Sequence, residues 1–296
     1  MQTREVLLDT ADMGFRPARR GKVRDLFDAG DGRLLIVATD RISAYDVVLP
    51  TGIPDKGRLL TQISVFWFRH LERITPHHLI SSDAADFPEP FRSRPDVFAG
   101  RSMLVRKAEP FPVECVVRGV LTGSAWREYR ESGTIAGEAA PAGLSEGHRF
   151  ETPLFTPATK EESGHDRNIA FSEMESIVGQ GAARTLRDLS LAIYSAAAEH
   201  AASRGLVLVD TKFEFGAQGG EILLIDEVCS PDSSRYWDRG AERRVSFDKQ
   251  FVRDWLDASG WDHAPPAPAL PPDVVETARD LYLAAFRRVT GREDLA

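Results

Sequence analysis

Two strand-like stretches around a glycine-rich turn constrain this chain most. Leu206-Val-Leu-Val-Asp-Thr-Lys-Phe-Glu-Phe215 and Glu221-Ile-Leu-Leu-Ile-Asp226 flank Gly216-Ala-Gln-Gly-Gly220, the pattern of a β-hairpin. A buried strand should be almost wholly apolar, because an unpaired buried charge is costly. Here Asp210, Lys212 and Glu214 alternate with Thr211, Phe213 and Phe215, so period two puts three charges on one face. Asp226 and Glu227 end the returning strand. Hard oxygen ligands converging from two strands suit Mg²⁺, which is usually held by one or two carboxylates together with phosphates. A solvated strand face, with Lys212 neutralising its neighbours, accounts for the same pattern equally well. Register matters, since a one-residue slip would turn Asp226 to the other face.

The rest of the chain sets the class. Its 296 residues are enough for about two domains or lobes. Lys plus Arg number 37 against 45 Asp plus Glu, a net charge of −8 with His neutral, and no basic tract suggests a nucleic-acid partner. No apolar run approaches the ~20 residues a membrane helix needs, and the N-terminus MQTREVLLDTADMGF carries acids early, so neither a membrane span nor a signal peptide is expected. Cys115 and Cys229 cannot make a disulfide framework and suit a reducing compartment. The expectation is a cytoplasmic enzyme with small-molecule partners; no oligomeric state is readable.

Periodicity orders the elements. Leu34-Leu-Ile-Val-Ala-Thr39 reads as a short buried strand, and 59–74 as a helix with Leu60, Ile63, Trp67, Leu71 and Ile74 on one face. Ser102–Arg106 and Val113–Arg118 read as strands. Glu109-Pro-Phe-Pro112 between them is not expected to continue a ladder, because proline lacks the donor. Ser172-x-x-Glu175 has the form of a capping box, and 181–204 that of a long amphipathic helix stopped by Gly205. A proline-dense stretch, 263–272, reads as a connector to a terminal helix that Asp273 can cap. These features divide the chain into a small lobe, 1–110, a larger lobe, 111–262, and a connector with terminal helix, 263–296.

Several polar constellations could carry chemistry. Arg118 ends an apolar strand and is followed by Gly119 and Thr122-Gly-Ser-Ala125; guanidinium, hydroxyl and backbone donors together suit a phosphate, and an edge-strand arginine in solvent suits the pattern too. Cys229-Ser-Pro-Asp-Ser-Ser-Arg235 is a dense polar turn straight after the carboxylates. Arg20-Gly-Lys-Val-Arg-Asp25 could bring backbone amides and two cations to a nucleotide phosphate, but it lacks the glycine pattern of a Walker loop, and most Gly-Lys pairs are surface turns. Phe155–Asn168 is polar and aperiodic, as functional loops or disordered segments are; Lys160, His165 and Asp166 are its candidate working groups, although a lone histidine such as His165 is more commonly a surface residue.

In unchanged order from about residue 18 to 256, these segments resemble the SAICAR synthetases of purine biosynthesis. The matching stretches include Gly21-Lys-Val-Arg-Asp25, Asp40-Arg-Ile-Ser-Ala-Tyr-Asp46, Pro54-Asp-Lys-Gly57 and Glu114-Cys-Val-Val-Arg-Gly119. They continue through Gly123-Ser-Ala-Trp126, Phe155-Thr-Pro-Ala-Thr-Lys160, His165-Asp166, Val209–Phe215, Asp226–Arg235 and Ser246–Trp255. The resemblance implies an α+β, two-lobed fold with a kinase-like or ATP-grasp-like nucleotide site, an antiparallel sheet in the small N-terminal lobe and a mixed larger lobe. It implies joining of L-aspartate to carboxyaminoimidazole ribonucleotide (CAIR) at the cost of ATP, with Mg²⁺. Gly21, Lys22 and Arg24 would cover the ATP phosphates, and the chain from about Arg106 to Pro112, with Arg106, Lys107 and Glu109, would form the hinge that reads adenine, mainly through backbone. Glu214 and Asp226 would hold the metal. Arg118, Ser124 and Arg235 would clamp the 5′-phosphate of CAIR. Lys212 would sit near the reacting carboxylate, and Asp210 near the metal or incoming amine. Lys160 and Asp166 would belong to a closing loop, with Asp46 and Asp248 as further substrate contacts. Arg167 departs from the family pattern, in which Glu often follows the His-Asp pair.

A carboxylate repels an amine and has no leaving group. Phosphorylation by ATP would give an acyl phosphate that the aspartate amine attacks; a concerted path fits the same residues. Two rivals share the scaffold: a small-molecule kinase, which needs no second anion clamp, and a non-catalytic nucleotide-binding regulator, which needs no intact set of Lys22, Lys212, Glu214 and Asp226.

Overall fold

A computed structural model describes residues 6–160, 167–241 and 245–295. Strands β1 (Arg19–Arg20), β2 (Arg24–Asp28), β3 (Arg33–Ala38), β4 (Leu79–Ser81) and β5 (Ser102–Arg106) form an antiparallel sheet in the order β1-β2-β3-β5-β4. The apolar run at Leu34–Val37 has a simple cause: both faces of β3 are covered. Leu35 and Val37 meet Phe87, Phe91 and Phe98 on one side, while Ile36 joins the main core on the other.

Helix α1 (Lys56–His70) lies between this sheet and the rest of the molecule, burying Leu60, Ile63 and Trp67. It starts three residues before the expected helix and stops four before its end. Pro76 disfavours helical backbone at Thr75, and Ile74 is left 37% exposed. Gly57 explains the motif Pro54–Gly57: a Cβ there would sit 2.2 Å from the carbonyl oxygen of Ala38 on β3.

The second sheet has seven strands. β6 (Glu109–Pro110), β7 (Val113–Val120), β8 (Arg149–Phe155), β9 (Ala158–Thr159), β10 (Leu206–Gln218), β11 (Glu221–Ile225) and β12 (Ser234–Asp238) all pair antiparallel. β10 is its axis. Its first half pairs with β7 and β12, and its second half with β11 and β6. The hairpin turn is only Gly219-Gly220; Gly216 and Ala217, expected in the turn, lie in the ladder opposite Leu223 and Ile222. Glu109-Pro110 also corrects its expectation. It pairs with Gly216 and Ala217, because the Phe111 amide donates to the Phe215 carbonyl and Pro110 needs no donor on this edge.

Among the helices, α2 (Gly123–Ser132) follows β7, and α3 (Phe171–Val178) and α4 (Gln180–Ser203) follow the 155–168 segment. The capping box does not form: Ala170 is the cap of α3, and Ser172 already lies inside the helix. α4 packs on β10 and β7 through Leu186, Ile193 and Ala197. α5 (Gln250–Ala258) and α6 (Pro272–Thr290) complete the chain, with α6 packed along α1. Asp273 is the second residue of α6, and Pro271 stands at its cap without a side-chain bond. No helix among the described residues is long and apolar enough to cross a membrane.

Candidate active site

The charged face of β10 opens into two adjoining cavities. The larger, about 560 Å³, is bounded by the β1–β2 turn, the 43–46 segment and the ends of β10 and β11. Gly21, Lys22, Arg24, Asp46, Arg106, Lys160, Lys212, Glu214 and Asp226 line it. The smaller, about 260 Å³, is lined by Arg118, Ser124, Asp210, Arg235 and Asp248. Lys212 belongs to both. The period-two expectation for Asp210, Lys212 and Glu214 therefore matches a shared, cavity-facing strand face.

In the larger cavity, Glu214 lies opposite Ile225, so its carboxylate and that of Asp226 come from neighbouring strands. Burial pushes the Glu214 carboxyl up, but Lys212 and Lys160 outweigh it and hold it at about 2. Burial raises Asp226 to about 6, with Glu214 and Glu227 adding to the effect and Arg24 opposing it. Lys212 is ion-paired to Glu114 and Glu214, and these carboxylates hold its ammonium above the usual range despite burial.

Arg24 is not on the glycine turn. It opens β2 and donates to Asp226 at 2.5 Å and Glu227 at 2.7 Å, fixing the end of β11 from the opposite sheet. Lys22 does sit on the turn, where it pairs with Asp46. Of the three side chains named in the expected hinge, Arg106 lines the cavity. Ala108 and Pro110 of the same stretch line it as well, while period two turns the Lys107 and Glu109 side chains to solvent.

Asp210 belongs to the second cavity. It lies in the smaller cavity, away from the Glu214–Asp226 pair, with Arg118 opposite on β7 and Arg235 opposite on β12. Its Oδ2 accepts from Arg118 at 3.0 Å and from Arg235 at 2.9 Å. The carboxylate thus holds two guanidiniums side by side. Arg118 donates further to Ser124 at 3.0 Å and Thr156 at 2.9 Å. Gly123, at φ 61°, makes room for Arg235, because a Cβ there would meet the guanidinium carbon at 2.8 Å. Asp248 is buried and accepts from Ser246 and from the Gln250 amide just ahead of α5.

Parts of the 155–168 segment take up regular pairing. Ala158-Thr159 pairs with β7, and Ala158 bridges Asn168. Lys160 pairs with Glu214, while His165 and Asp166 lie outside the described residues.

Several charged residues without a role in the sequence reading also line both cavities, among them Asp232, Lys249 and Arg253. Asp232 is buried, accepting from Lys56 at 2.6 Å and Tyr282 at 2.8 Å. Lys249 and Arg253, one turn apart, line both cavities. Their signal was present as the i, i+4 cations of Ser246–Trp255.

Glu214 and Asp226 fit a metal that arrives with phosphate oxygens, which needs one or two protein carboxylates. They do not make a self-sufficient cage: no group of three or more metal-binding side chains is gathered among the described residues.

Comparison with known proteins identifies the family. The chain is 50% identical over 292 residues to the phosphoribosylaminoimidazole-succinocarboxamide synthase of Syntrophobacter fumaroxidans, covering 97% of each chain. It is 52% identical to that of Desulfosudis oleivorans, covering 97% of this chain and 99% of the other. The solved SAICAR synthase of Saccharomyces cerevisiae, complexed with SAICAR, superposes with a TM-score of 0.86 at 39% identity, over 98% of both chains. The SAICAR synthetase family model matches residues 17–268, and together with these near-full-length relatives it shows that this chain belongs to the SAICAR synthetase family.

Proposed function

We propose that the two cavities hold the two phosphorylated substrates of the family reaction with their reactive ends meeting at Lys212. The chain catalyses the ATP-dependent joining of L-aspartate to CAIR, giving SAICAR, ADP and phosphate. The observation that carries the residue assignment is the common wall: one strand, β10, presents Glu214 to one cavity and Asp210 to the other, with Lys212 between them.

In this reading ATP occupies the larger cavity, with its base against Arg106, Ala108 and Pro110 and its phosphates towards Lys22 and Lys160. Glu214 and Asp226 hold Mg²⁺, which when bound neutralises phosphate charge and orients the triphosphate. Arg118, Ser124 and Arg235 bind the CAIR 5′-phosphate, kept parallel by Asp210. Lys212 stays cationic and steadies the charge that develops as the CAIR carboxylate takes the γ-phosphoryl group. The aspartate amine then attacks the acyl phosphate, and phosphate leaves. Water must be kept out, and we assign that task to the loop whose sequence carries Lys160 and Asp166. We take 1–110, 111–262 and 263–296 as working units. The buried free thiols Cys115 and Cys229 suit a cytoplasmic protein.

A coupled ADP-release assay tests the reaction: turnover should require both CAIR and L-aspartate, and ADP formation indifferent to omitting either rejects the ligase reading. Arg118→Ala tests the smaller cavity. Asp210 keeps Arg235 as partner, so the fold should survive, and losing a charge-assisted clamp is worth about 1.5–3 kcal/mol, or roughly ten- to hundredfold in the KM for CAIR. An unchanged KM would remove Arg118 from the phosphate site.

A further inference from the structure

The glycine turn between β1 and β2 is held from behind by a residue of another segment. Arg41 lies just past the end of β3 and is only 6% exposed. Its guanidinium donates to the Lys22 carbonyl at 3.0 Å, the Gly21 carbonyl at 3.1 Å, the Leu8 carbonyl at 2.6 Å and Asp25 Oδ1 at 2.7 Å. Thr39 takes the next carbonyl of the turn: its amide and its hydroxyl donate to the Val23 oxygen at 3.0 and 2.8 Å. The carbonyls of Gly21, Lys22 and Val23 are thus all tied to 39–41. Asp25 is fully buried, and the Thr10 hydroxyl occupies its other oxygen at 2.7 Å, so the carboxylate that anchors Arg41 is itself fixed.

These bonds also set where the turn's amides point. A trans peptide is planar, and its N–H points opposite to its carbonyl. Drawing the Gly21 and Lys22 carbonyls towards Arg41 therefore turns the Lys22 and Val23 amides away from it. Among the described residues neither amide donates a hydrogen bond, while the Gly21 amide closes the turn onto the Arg24 carbonyl at 2.7 Å. Gly21, Lys22 and Val23 line the larger cavity and Arg41 does not, so the open side of the turn is the cavity side. Successive backbone amides in a turn make a concavity that binds anions. Neutralising Asp25 would need only a point charge. Arg41 instead spends three of its four contacts on carbonyls, which takes the planar, multi-donor fork of a guanidinium.

We propose that Arg41 is a positioning residue for the nucleotide, holding the β1–β2 turn so that the Lys22 and Val23 amides meet its phosphates. The inference rests on the reading that ATP occupies the larger cavity, and it adds how a turn without the Walker pattern binds phosphate there.

Arg41→Lys tests it, because lysine keeps a cation beside Asp25 but cannot reproduce the fork. Binding titrations on the full chain compare ADP with adenosine, which carries the same base and ribose and no phosphate. In the variant the Kd for ADP should rise about tenfold or more, as expected when charge-assisted contacts are lost, while that for adenosine stays within about twofold. In steady state the KM for ATP should rise and those for CAIR and L-aspartate should hold. A general loosening of the cavity would weaken ADP and adenosine alike; that result overturns the inference, and so does an unchanged Kd for ADP. A wild type that binds no ADP removes ATP from the larger cavity and takes this inference with it. Wild-type binding that Arg41→Lys leaves intact counts against Arg41 alone.

Should the variant fail to fold, hydrogen exchange on the wild type decides. ADP should slow exchange at the Lys22 and Val23 amides, and adenosine should not. Equal exchange with either ligand overturns the inference.

Discussion

Asp226 stands at φ 65°, in the left-handed region that asparagine and aspartate enter most readily. Asp226→Asn therefore keeps the backbone and the side-chain volume while removing the charge that would meet Mg²⁺. Turnover should be abolished, with the melting temperature moved by no more than the ~2–4 °C that 1 kcal/mol shifts in a protein of this size. Near-normal turnover at saturating Mg²⁺ would contradict the metal assignment. Asp232 behaves differently because its partner is buried with it: the Lys56 side chain has no exposure and that of Asp232 4%. Burial alone would raise the Asp232 carboxyl, but Lys56 outweighs it and holds the group below its usual value. A carboxylate depressed in the folded state adds stability that is complete above the unfolded value of about 3.9 and is lost as pH falls through the folded one. Asp232→Asn should thus cost about 3–5 kcal/mol at pH 7, the penalty of stranding a buried ammonium, and the gap from wild type should narrow below about pH 4. Urea titrations of both proteins across that range measure it.

At the scale of elements, close approach matters more than intrinsic propensity. Gly57→Ala would place a methyl group 2.2 Å from the Ala38 carbonyl, so α1 could no longer dock on β3. The expected result is a protein that fails to fold or melts far below wild type. Gly181→Ala is the control. Gly181 lies in the first turn of α4 with nothing within 4 Å of a Cβ, and there alanine should stabilise by about 0.5 kcal/mol. The same contrast marks what a linear reading can see. The β10–β11 hairpin and α4 were legible because their periods repeat within one segment. The rung at Glu109-Pro110 was not, since it depends on which strand the chain meets. Nor was the pairing of Arg24 with Asp226, 202 positions away, or of Arg118 with Asp210, 92 away: the residue types announced charge chemistry, but register decides who faces whom. Lys249 and Arg253 were visible as spaced cations, yet only the structure brings them to both cavities.

For the molecule as a whole, the last helix is the point where site and stability meet. The family match ends at residue 268, before α6 begins. α6 nevertheless buries Val274, Ala278, Tyr282, Ala285, Phe286 and Val289, and lies along α1. Four of these are large, and full burial of such side chains is worth about 1.5–3 kcal/mol each, so the helix contributes on the order of 6–12 kcal/mol. A protein has only about 5–15 kcal/mol of net stability to lose. The polar contacts add specificity to the docking. Arg279 donates to Asp55 at the start of α1 at 2.8 Å, and Tyr282 donates to Asp232, whose turn leads into Arg235. A chain ending at residue 268 should therefore not fold cooperatively, although it retains every residue assigned here to ATP and CAIR. Tyr282→Phe in the full chain separates the two contributions: the helix stays docked, and only the hydrogen bond to Asp232 goes, at about 1 kcal/mol. If the truncated chain instead melted with a single transition near that of wild type, α6 would be an accessory to the fold, and its link to the cavity turn would carry no weight.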